Sequence, residues 1–184
     1  MSKTTQANRA STAPDHIDSG PASHDVTGEE RQVAAATWLL SAADNRDIAK
    51  QEWRFGDVAL LRCGTLFTAV RVPLATVEAA AGTDDRQKIG AYLNEALLGG
   101  AVFLNGATEE VYFLVPPSTW GRWKVPGTEC LCPDLYLGVP RPGAEPEERS
   151  YWLVEMDGPG VLSMENAVKQ VVAYGRLRAA QSDD

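Results

Sequence analysis

The sequence predicts an α+β protein with a mainly antiparallel sheet built from hairpins and with flanking helices. Three observations carry this. Strand-like runs come as adjacent pairs around short turns, at 57–63 with 66–72 and at 101–105 with 110–115. Helical runs with apolar residues three and four apart stand between and after these pairs. Strands grouped this way, not alternating singly with helices, argue against a doubly wound fold.

Residues 1–27 are mostly Ser, Thr, Ala, Asp, Asn, Gly, Pro and His, with one Ile, one Val and no Phe, Tyr or Trp. So little apolar surface cannot offset the entropy of ordering, and a disordered tail is expected ahead of a single domain over 28–184. Thr27 followed by Glu30 reads as a capping box that starts a helix through EERQVAAATWLLSAAD, with Val33, Thr37 or Trp38, and Leu40 inward. Asn45 and Asp47 end that helix or open a second short turn.

DVALLRC at 57–63 and LFTAVRV at 66–72 read as strands joined at Gly64-Thr65 into a hairpin. In the second strand, Phe67, Ala69 and Arg71 share one face and Leu66, Thr68, Val70 and Val72 the other. Pro73 opens a helix that Gly82 closes. Another begins near Asp84, with Ile89, Tyr92, Leu93, Ala96 and Leu97 on its apolar face, and stops at Gly99-Gly100. AVFLN and EVYFLV form a second hairpin around Gly106-Ala107. After Pro116-Pro117 come the loop TWGRWK, short strands at TECL and DLYLGVP, an acidic loop, and a strand at 150–156. Leu162 to Ala180 reads as a final helix with Ser163 as N-cap and Met164, Ala167, Val168, Val171 and Tyr174 inward.

Apolar residues make up 44% of the 184, enough for a core, and the net charge of −8 disfavours non-specific binding to a polyanion. No run approaches the ~18 apolar residues of a membrane span, and the N-terminus has no apolar secretory core. A cytoplasmic protein with no membrane partner is expected. Cys63, Cys130 and Cys132 are too few for a disulfide scaffold. The only histidines are His16 and His24, both in the tail. Nucleophile–His pairs, His-ligated zinc and imidazole acid–base catalysis are therefore excluded from the folded part.

Two stretches carry a resemblance. LLRCGTLFTAVRVP, and EEVYFLVPPSTWGRWKVPGTECLCPDLYLGVPRP continuing to SYWLV, together resemble the bifunctional DNA primase/polymerase domain, of the archaeo-eukaryotic primase-like group, over about 57–154. The resemblance implies a primase/polymerase-like scaffold. In that family the second strand carries aspartates that hold divalent metal. Here that stretch is Thr68, Ala69, Val70 and Arg71. The family's histidine before the aromatic strand is replaced by Glu109, Glu110 and Val111. Two-metal phosphoryl transfer needs several acids converging on cations, so the resemblance implies a reduced scaffold without catalysis. No catalytic residue, metal ligand or cofactor is assigned.

Trp120, Arg122, Trp123 and Lys124 are the candidate partner-binding residues. Two indoles and two cations in one loop suit base stacking with phosphate contact, or a protein interface; a Trp plugging the sheet edge beside solvated cations is the competing reading. Trp120, close to the apolar strand, is expected inside; Trp123, between two cations, outside. Cys130 and Cys132 on one strand would share a face and pack. Asp157-Gly158-Pro159-Gly160 reads as a turn, and Lys169 and Arg176, seven apart, as a solvated helix face. Asp57, Asp134, Glu155 and Asp157 would have to gather for a metal-dependent nucleotide-processing enzyme. The function expected is that of a non-catalytic accessory or regulatory protein that binds a protein or a nucleic acid. A carboxylate enzyme and a structural part of a larger assembly are the alternatives.

Overall fold

Local capping chemistry sets the first helices. A computed structural model describes residues 27–182, so all of the expected tail except Thr27 lies outside the described residues. Helix α1 (Gly28–Leu40) opens on the anticipated box: Glu30 N–H donates to Thr27 Oγ1 and Thr27 N–H to the Glu30 carboxylate. It ends at Leu40, and its buried side is Ala35, Leu39 and Leu40, with Val33 61% exposed. Val33 lies two positions before Ala35, roughly 200° around the helix, which puts it outside. Asn45 then caps a full ten-residue helix, α2 (Arg46–Phe55), by accepting from the N–H groups of Asp47 and Ile48.

The first expected hairpin does not form. Strand β1 (Val58–Arg62) pairs antiparallel with β6 (Tyr136–Pro140) in a separate two-stranded ribbon. Strand β2 (Thr68–Pro73) instead enters a five-stranded sheet. Ala59 and Leu61 explain the difference: both are fully buried in the core beneath the sheet, so β1 lies over the sheet and not in it. Gly64 makes the redirecting turn at φ 102°, and a Cβ there would stand 2.7 Å from Pro133 Cβ.

Helices α3 (Leu74–Ala81) and α4 (Arg86–Ala96) follow, the first closed by Gly82 at φ 71° and the second capped by Asp85. On α4, Ile89 and Leu93 are buried with Leu97 just beyond, while Ala96 is exposed. Strands β3 (Val102–Asn105) and β4 (Glu110–Val115) form the second hairpin as expected, with Asn105 opposite Glu110. The sheet is completed by β5 (Glu129–Cys130) and β7 (Ser150–Val154) in the order β5-β2-β4-β3-β7, every pair antiparallel. Among the described residues, only β3–β4 is a sequence-adjacent hairpin. The other pairings are long-range, which corrects the expectation of a sheet built from hairpins.

Helix α5 spans Glu165–Ser182 and buries Val168, Val171 and Val172, whereas Met164 is 63% and Tyr174 46% exposed. Ser163 is not its cap: the serine is fully buried and its hydroxyl donates to the Ala101 carbonyl.

Both faces of the sheet are covered, which explains why its strands read as nearly continuous apolar runs. Val70, Val72, Leu104, Val111 and Phe113 face α3, α4 and α5. Phe67, Ala69, Phe103 and Leu114 face the ribbon, α1 and α2. This is an α+β architecture of antiparallel sheets with flanking helices. Among the described residues no helix is long and apolar enough to cross a membrane.

A candidate partner-binding cleft

Beyond β4 the chain turns through a 3-10 helix, Pro117–Arg122, and this turn decides the fate of the two indoles. Thr119 and Trp123 fall on its inner side, joined by Trp123 N–H donating to the Thr119 carbonyl at 2.9 Å. Trp123 is 6% exposed and packs into the core under α5, whereas Trp120 is 46% exposed. The expectation is thus reversed. Nearness to the apolar strand pointed to Trp120, but one tight turn carried it outward and brought Trp123 in. Trp123 Nε1 donates to Thr128 Oγ1 at 3.0 Å, and that hydroxyl donates to the Val125 carbonyl. Among the described residues, Thr119 Oγ1 is the buried side-chain polar atom left without a partner.

The same loop encloses an open cleft of about 560 Å³, lined by Trp120, Trp123, Lys124, Val125, Pro126 and Cys130. Helix α5 holds this loop through ionic contacts that lie outside the cleft lining. Arg122 donates twice to Glu165, at 3.0 and 2.8 Å, and Lys169 donates to the same carboxylate at 2.7 Å. Lys169 foremost, and Arg122 with it, hold the Glu165 carboxyl below its ordinary range. Arg176 Nη1 donates to the Pro126 carbonyl. Lys169 and Arg176 therefore face the loop, correcting the expectation of a plain solvated face. Lys124 is exposed and without an ion pair among the described residues. Lys124 and Glu129 are the charged residues lining the cleft, and Glu129 is itself paired with Arg71 at 2.6 Å.

The positions that the resemblance aligns with metal-holding acids are occupied differently. Thr68 Oγ1 donates to the Leu131 carbonyl at 2.6 Å, Ala69 and Val70 are fully buried, and Arg71 reaches Glu129. Of the four acids an enzyme would gather, three are engaged apart from one another. Asp134 pairs with Arg62, Asp157 with Arg31, and Glu155 accepts from Gln32 and from the Gly143 N–H. Among the described residues no three His, Cys, Asp or Glu side chains gather as a ligand set for a metal ion.

The thiols stand close to one another. Cys63 and Cys130 are each within hydrogen-bonding reach of Thr68, and burial pushes both up to about 11. β5 ends at Cys130, so Cys132 lies past the strand and not one register step along it. Sequence reasoning singled out the loop, read Lys169 and Arg176 only as a solvated face, and missed Glu165. The spacing of four between Glu165 and Lys169 on α5 was the available signal.

No protein-family model, no curated protein and no solved structure matches the chain.

Proposed function

We propose that this is a non-catalytic accessory or regulatory protein that works by binding, on a reduced primase/polymerase-like scaffold, with its partner docking in the Trp120 cleft. One observation carries the reading. A half-exposed indole and an unpaired Lys124 line one open cleft whose lining carboxylate, Glu129, is already neutralised by Arg71, on a chain of net charge −8. An exposed indole beside cations suits a nucleic-acid strand, whose bases stack and whose phosphates need positive charge. The loss of catalysis is supported by Arg71, which stands where a cation site would need an acid. The apolar wall of Val125, Pro126 and Cys130 favours the second reading, a protein partner anchored on Trp120.

A labelled 15-nucleotide oligothymidylate tests this. Binding is expected, with an affinity that falls steeply with salt and drops by about 1–3 kcal/mol in Trp120→Ala. A partner whose affinity ignores salt would favour the protein interface. Stabilisation by Mg²⁺ or Mn²⁺ with nucleoside triphosphates in a thermal shift would instead revive the enzyme reading.

A further inference from the structure

A second cleft, of about 340 Å³, lies where the ribbon meets the end of the five-stranded sheet. Asp57 and Gly138 line it from the ribbon side, and Asn105, Tyr112, Arg149 and Ser150 from the sheet side. Asn105 and Ser150 are direct partners across β3 and β7, and Phe103 and Tyr112 across β3 and β4, so the sheet wall is rigidly placed. Tyr112 is stacked on Phe103 with centroids 5.0 Å apart and planes 10° apart.

The polar groups of this cleft are unusual in having so few protein partners. Ser150 is 3% exposed as a residue and lines the cleft, where its hydroxyl stays accessible and makes no hydrogen bond to a described residue. Asn105 Oδ1 accepts from the Ala107 N–H, which leaves the carboxamide N–H₂ free. Arg149 and Asp57 form no ion pair with any described residue. The two residues line the cleft from different walls.

We infer that this cleft binds a small zwitterion of the α-amino-acid class, bridging Arg149 and Asp57. The guanidinium, the Ser150 hydroxyl and the Asn105 amide are all donors on one wall and suit a carboxylate. Asp57 on the opposite wall suits an ammonium. The paired charges of the cleft sum to zero, which matches a ligand of zero net charge and disfavours a phosphate dianion facing Asp57. The volume sits at the small end of ligand sites, about 300–1,000 Å³. Leu137 and Tyr112 leave an apolar wall for a side chain.

The inference is independent of the Trp120 cleft and is tested on the full chain by titration calorimetry. The probes are the common L-amino acids, with acetate, methylammonium and inorganic phosphate as controls. At least one amino acid is expected to bind, more tightly than acetate or methylammonium. Arg149→Ala and Asp57→Asn should each weaken it by about tenfold or more, and Ser150→Ala less. Both charged residues are exposed, so these variants should keep the native circular dichroism and melting temperature. Trp120→Ala should leave this binding unchanged, whatever it does to a nucleic acid. Absence of binding by every amino acid would overturn the inference. So would equal binding to Arg149→Ala, or phosphate binding that tightens in Asp57→Asn, which would mark a plain anion site.

Discussion

Lys169 holds its ammonium 5.7 Å from the centroid of the Trp123 ring while donating to Glu165 at 2.7 Å. Through this contact and the pair of bonds from Arg122 to Glu165, the loop after β4 is fastened to the first turns of α5. The two tryptophans of the loop therefore belong to different links of the argument. Trp123 is packing and Trp120 is surface. Trp123→Ala should cost about 3–5 kcal/mol of folding stability, because it empties a core site. Trp120→Ala should change stability by about 0.5 kcal/mol or less, as exposed positions do. Urea denaturation of both variants checks this, and equal losses would refute the assignment.

The Glu165 clamp gives a defined pH dependence. Its carboxyl titrates lower in the folded protein than in the unfolded chain, because Lys169 and Arg122 favour the ionised form. Stability from this group is therefore present above the ordinary carboxyl value near ~4.3 and lost as pH falls through the lower folded value. In Glu165→Gln that part of the acid-side decline should vanish, with a modest loss of stability at neutral pH. Urea midpoints measured from pH 3 to 7 for both proteins would reveal it. Parallel curves would mean that the clamp contributes nothing to folding.

What was legible in the sequence is what is decided locally. Thr27 and Glu30 meet within one helical turn, and Asn105 and Glu110 meet across one short turn, so both could be read directly. The partner of β1 could not. Leu61 pairs with Leu137, 76 positions away, and nothing near Leu61 distinguishes that strand from β2 as its neighbour. The indoles failed for a related reason. Linear nearness to a strand does not fix orientation once a 3-10 turn intervenes, and Thr119 to Trp123 is one such turn. Asp57 and Arg149 meet at a cleft only because the ribbon folds over the sheet end, and neither stands in any local pattern.

The crossing of α3 and α5 rests on a glycine that no local pattern singles out. A Cβ built on Gly175 would lie 2.1 Å from the Thr76 carbonyl oxygen, and backbone cannot yield as a flexible side chain does. Gly175→Ala should force the helices apart and cost about 1–3 kcal/mol, although alanine has the better helix propensity. Thermal unfolding should show a melting temperature lower by several degrees. A stabilised variant would mean that α5 can shift freely along α3.

The thiols around Thr68 give a prediction of opposite sign to that of Glu165. Burial is the main cause that raises Cys63 and Cys130 to about 11 in the fold, against ~8.5 for a free thiol. Protonated thiols are thus favoured in the native state. Their contribution is intact below the unfolded value and is lost as pH rises through the folded one. Stability should decline between about pH 8.5 and 11, and less steeply in Cys63→Ala once its cavity cost at neutral pH is subtracted. The same protonation makes both sulfurs poor nucleophiles, because only the thiolate reacts. Iodoacetamide at pH 8 should label Cys63 and Cys130 slowly in the native protein and rapidly in urea, with mass spectrometry locating each adduct. Rapid native labelling of Cys63, a residue 1% exposed, would show that the ribbon opens away from the sheet and would remove the physical basis for a raised thiol there.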